Sequence, residues 1–141
     1  MNMKKDKLYA RYKKHTSELC QFLRTELFCG EYLMDIEYSK EEKKSGESFV
    51  AGEIKIDTKY INFTVTFYPE HFRGYQAKNR HKFLATIVHE MCHLLTEPLY
   101  LLAIDGVTNR TLSYLEEVRE RQTERIANAV FALIPEKLKK I

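Results

Sequence analysis

Residues 86–98 read TIVHEMCHLLTEP. Two histidines four apart, His89 and His93, lie one turn apart on the same face of a helix. At about 100° per residue, Leu84, Ile87, Val88, Met91 and Leu95 centre on the opposite side. This fixes the local fold: a rigid helix with its apolar back in the core and two imidazoles projecting from the other face. That arrangement suits a metal ion, because two imidazoles converge on one point while the buried side holds them. Glu90, next to His89, projects to the flank, within reach of a metal-activated water and without ligating the metal itself.

A catalytic zinc site takes three protein ligands and leaves one position open, so the third ligand must come from elsewhere. His81 is eight residues before His89, roughly 12 Å along a helix axis, too far to share an ion. His15 reads as a surface residue of the first helix. His71, in YPEHF, reads as a loop residue, with a place lining the cleft as the alternative. The last helix, SYLEEVRERQTERIANAVFALIP, offers acids. Its apolar stripe is read as Leu115, Ile126, Ala129, Val130 and Leu133. Glu120 falls near the edge of that stripe, flanked by Glu116, Thr123 and Ala127, and Glu124 lies further round. A ligand belongs where a helix meets its neighbour, so Glu120 comes first and Glu124 is the alternative. Either acid also has Arg119, Arg121 and Arg125 at hand for surface pairing.

The rest of the chain supplies the frame. Residues 5 to 28 place Leu8, Tyr12, Leu19, Phe22, Leu23 and Leu27 on one helical stripe, with Gly30 as a stop. YLMDIEY alternates, with Tyr32, Met34, Ile36 and Tyr38 on one side. SKEEKKSGES, residues 39–48, reads as an exposed charged loop. FVAGEIKI and YINFTVTFY, joined by DTK, read as a hairpin, with Ile61, Phe63, Val65 and Phe67 facing one way. The motif helix is expected from about Ala77 to Glu97, ended by Pro98. An apolar connector broken at Gly106 follows. The last helix is expected from Ser113, with Ser113 and Glu116 as a capping box, to Ile134 before Pro135. The order α-βββ-α-α implies an α+β fold with helices on one sheet face.

At 141 residues, 44% hydrophobic and 30% charged, the chain suits one domain spanning residues 1–141. The basic start is followed by no apolar stretch of signal type, and no run approaches a membrane span, which points to the cytoplasm. Cys20, Cys29 and Cys92 form no C-x-x-C pair, so a disulfide framework or a cysteine zinc knuckle is not expected, and free buried thiols are. The net charge of +3 is carried by the chain ends. The pI near 8.7 falls short of a dedicated nucleic-acid domain, and leaves only a weak electrostatic role near nucleic acid through the basic ends.

VHEMCHLLTEPL, followed by EEVRERQTERIANAV and preceded by MDIEY, a charged loop and AGEIKIDTKYINFTVTFYPE, resembles small phage-encoded zincin-like metallopeptidases. These are related in layout to the ImmA/IrrE and SprT-like groups. The resemblance runs from about residue 7 to residue 133. It implies a zincin-like fold, Zn2+ as cofactor, a protein or peptide substrate and, if the chain is phage-encoded, the cytoplasm of a bacterial host. In the family an acidic residue opens a segment E-x-x-[V/T]-x-R-[L/I]-A, which Glu120, Thr123, Arg125, Ile126 and Ala127 match. The ImmA/IrrE form E-x-x-A-N-x-F-A is matched in part by Glu124, Ala127 and Asn128, with the phenylalanine one place late at Phe131. The two alignments differ on the ligand, and the wheel favours Glu120. The expected activity is that of a gluzincin: His89, His93 and Glu120 hold zinc and Glu90 is the general base. Tyr114 is a candidate second oxyanion donor, and a sheet edge beside the motif helix would bind the peptide. Two other readings remain open: a metal-stabilised interaction module without turnover, and a nucleic-acid-associated factor of SprT-like kind.

Overall fold

A computed structural model describes residues 3–27 and 29–141. Its α+β arrangement contains five helices, a three-stranded sheet and a small two-stranded one. Helix α1 spans Met3–Glu26 and buries Tyr12, Leu19 and Leu23 of the expected stripe, together with Thr16 and Cys20. It ends before Gly30, and its expected last residue, 28, lies outside the described residues. Strands β1 (Leu33–Tyr38), β4 (Gly52–Asp57) and β5 (Asn62–Phe67) form the main sheet in the order β1-β5-β4. β5 is central, parallel to β1 and antiparallel to β4. Phe63, Val65 and Phe67 on β5 are buried, as the period-two pattern requires. Ile61 does not join them. It sits in the turn with φ 51° and is 45% exposed, so the inward set begins at Phe63.

The charged segment is not wholly a loop. β2 (Lys44–Ser45) and β3 (Ser48–Phe49) form a short antiparallel hairpin turned at Gly46, whose φ of 62° suits glycine. Residues 69–76 are not a loop either. Pro69–Gln76 forms α2, with proline at its first turn and Glu70 behind it, the chemistry a helix start favours. α2 ends in a Schellman motif: Asn79 N–H bonds Gly74 O at 2.9 Å and Lys78 N–H bonds Tyr75 O at 3.0 Å. Asn79 then caps α3 by accepting from Lys82 N.

α3 runs from Arg80 to Ala103, through Pro98. The lost hydrogen bond and ring clash cost about 3 kcal/mol in a helix interior. Packing on α4 offsets it: Glu97 pairs with Arg119, and Arg119 stacks on Tyr100 at 4.2 Å, on either side of the proline. α4 spans Asn109–Phe131 and α5 Glu136–Lys139. The cap of α4 is Thr108, which accepts from Thr111 N, and not the Ser113–Glu116 box. Ser113 Oγ instead donates to Asn109 O within the helix, and Glu116 accepts from Tyr100 OH. The buried face of α4 is Thr123, Ala127 and Val130. Ala129 and Leu133 are exposed, contrary to the expected stripe, and Leu133 lies beyond the end of α4.

All three cysteines are free and buried. Among the described residues, no helix is long and apolar enough to cross a membrane.

Candidate metal centre

α3 and α4 bring His89, His93 and Glu120 together, one nitrogen or oxygen of each lying within 4.8 Å of the others. His89 Nε2 is 3.3 Å from Glu120 Oε2, and His93 Nε2 is 3.6 Å from Glu120 Oε1. Tetrahedral donors 2.0–2.1 Å from one ion stand about 3.3 Å apart, so the spacing fits a small cation. The outer nitrogens are also engaged. His89 Nδ1 is 3.0 Å from Glu124 Oε2, and His93 Nδ1 is 3.4 Å from Thr123 Oγ1. A metal-binding imidazole commonly donates its other N–H to such a partner. The two glutamates therefore occupy different places: Glu120 faces both Nε2 atoms, and Glu124 stands behind His89.

Glu90 is half-buried and shares a cleft of about 250 Å³ with His89, His93, Glu120 and the first residues of β4. Burial, followed by the charges of Glu120 and Glu53, raises its pKa to about 8, against a hydrogen bond from the Ile54 backbone. Such a carboxyl can hold a proton near neutral pH and release it again. Gly52 makes the approach of β4 close: a Cβ there would stand 3.1 Å from Thr86 Cγ2 and 3.5 Å from Glu90 Cγ. β4 is an edge of the main sheet, so one row of its backbone groups is left unpaired by that sheet. His93 is buried, and its pKa is lowered to about 4 by that burial first, with His89 and Arg119 adding to the effect and Glu120 opposing it.

The other candidates go elsewhere. His71 is no cleft residue but lies in the core on α2, 1% exposed. Its ring is stacked between Phe67 at 4.6 Å and Phe83 at 4.9 Å. His15 is half-buried, not superficial: its Nε2 bonds Leu138 O at 2.5 Å and its ring packs on Phe83. His81 is exposed and near Phe131, in a neighbouring cleft that also reaches His89. Tyr114 is 60% exposed and is not among the residues lining the cleft of Glu90. Arg119 does line it, with a guanidinium nitrogen 3.3 Å from Glu120 Oε1. Sequence reasoning took Arg119 as a surface partner and gave Thr123 no role in the site. Their only local signal is their position one and three residues from Glu120, and their contacts with Glu97 and His93 depend on helix pairing.

No family model matches the chain, and neither does a curated protein or a solved structure.

Proposed function

We propose that the protein is a zinc-dependent metallopeptidase of gluzincin type on a zincin-like fold. The observation that carries this reading is the convergence of His89 Nε2, His93 Nε2 and the Glu120 carboxylate beside a half-buried Glu90. A zinc ion held by these three would polarise a peptide carbonyl and acidify water at neutral pH. Glu90 takes a proton from the attacking water. As the C–N bond breaks, it passes that proton to the leaving amine. The outer edge of β4 binds the peptide as an added strand, which places a backbone carbonyl along the same cleft.

The test joins metal content to turnover. Wild type is expected to hold one zinc per chain by elemental analysis. Glu120→Ala loses it, and Glu124→Ala keeps the site with affinity weakened roughly 10- to 100-fold, the usual effect of removing an outer partner. Glu90→Gln keeps zinc and cleaves nothing in a peptide library read by mass spectrometry. Zinc in wild type without cleavage of any peptide would favour a metal-stabilised interaction module. No zinc after reconstitution would remove the enzyme reading altogether.

A further inference from the structure

We infer that Thr123 is a positioning residue: its buried hydroxyl fixes His93 in the tautomer that leaves Nε2 free for the metal. The inference rests on the metal-site reading above and adds a residue to it.

Proton accounting around Thr123 Oγ1 carries the argument. A hydroxyl has one proton to give and two lone pairs to accept with. Thr123 Oγ1 lies 2.9 Å from the Arg119 carbonyl, which can only accept, so the Thr123 proton goes there. Thr96 Oγ1 lies 2.8 Å away, and its own proton therefore points at Thr123. One lone pair remains, and His93 Nδ1 is 3.4 Å from it. The completed set requires a proton on Nδ1. A neutral imidazole carries one N–H, so Nε2, on the side of Glu120, keeps its lone pair.

The two histidines are thus held by different means. His89 is partly exposed and has a carboxylate behind it, Glu124, whose side chain is 60% exposed. His93 is buried, and a second carboxylate there would have to be stripped of water close to Glu90 and Glu120, which is costly for a charged group. A hydroxyl relay supplies the acceptor without a charge. A purely structural explanation also exists, because threonine in a helix readily bonds the carbonyl four residues back. The two explanations rank substitutions differently. Thr123→Val keeps the shape and deletes the oxygen. Thr123→Ser keeps the oxygen and leaves a small cavity.

Zinc affinity is read by competition with a chelating dye, and the His93 tautomer by nitrogen-15 NMR of the metal-free protein at pH 8. Thr123→Val is expected to weaken zinc binding roughly 10- to 100-fold and to populate the Nε2–H form of His93. Thr123→Ser should match wild type in both readouts, although it is the less stable variant in thermal unfolding. Wild type that binds zinc while Thr123→Val binds it equally well overturns this inference alone. So does an Nε2-protonated His93 in the wild type. Wild type that binds no zinc overturns the metallopeptidase reading and this inference with it.

Discussion

His71 shows what a single residue's setting decides. Its ring nitrogens have fixed partners: the Phe83 carbonyl at 3.0 Å accepts from Nε2–H, so Nδ1 accepts from Tyr12 OH at 2.8 Å. Both partners suit the neutral ring, and burial lowers the pKa to about 4. Above pH 6.5 the ring is neutral in the folded and unfolded chain alike. Below it, the unfolded chain takes a proton that the folded one refuses, so stability falls as pH drops from about 6.5 to about 4. At 1.36 kcal/mol per unit of pKa the full loss is roughly 3 kcal/mol. Urea unfolding of wild type and His71→Asn across that range checks it. The variant is expected to be less stable at pH 7 and to lack this part of the slope, so parallel curves would refute the assignment. Nothing in YPEHF marks this role, because the aromatic sandwich is made by residues from β5 and α3. His89, Glu90 and His93 were legible for the opposite reason: their common site depends first on spacing within one helix. Between Glu120 and Glu124 the wheel could rank but not decide, since the nitrogen each acid faces is set by how α4 lies on α3.

Among elements, the long amphipathic helices and the alternating strands followed from periodicity, while the short pieces did not. α2 has eight residues and includes Gly74, too little for a period to declare itself. Pro98 misled in the other direction, since its helix-breaking effect is outweighed by contacts from α4. The junction of α2 and α3 carries a testable strain. Lys78 occupies the left-handed position of the Schellman motif with φ 55° and an exposed side chain. A residue with a Cβ bears roughly 1 kcal/mol of strain there that glycine does not. Lys78→Gly is therefore expected to stabilise the protein by up to about 0.6 kcal/mol, the relieved strain less roughly 0.4–1 kcal/mol for the added freedom of the unfolded chain. Thermal unfolding would show a raised midpoint. A lowered one would mean that the lysine makes a contact worth more than the strain.

At the scale of the whole molecule, the proposed metal links two helices that are otherwise joined by packing and by a few polar pairs. α3 would give two ligands and α4 the third, from opposite sides of the 104–108 turn. The unfolded chain cannot assemble this set, so binding free energy becomes folding free energy. At a free zinc concentration 100 times Kd, the gain is about 2.7 kcal/mol. The thermal midpoint should rise with added zinc and fall back with a chelator. Glu120→Ala should not respond. Glu90→Gln should respond in full, because in the proposed mechanism that carboxyl serves the proton and not the ion. This last pair separates binding from chemistry without any substrate in hand. If Glu90→Gln also lost the shift, Glu90 would be a ligand and the proton transfer would need another residue. Arg119 could not serve, since a guanidinium offers donors and no acceptor.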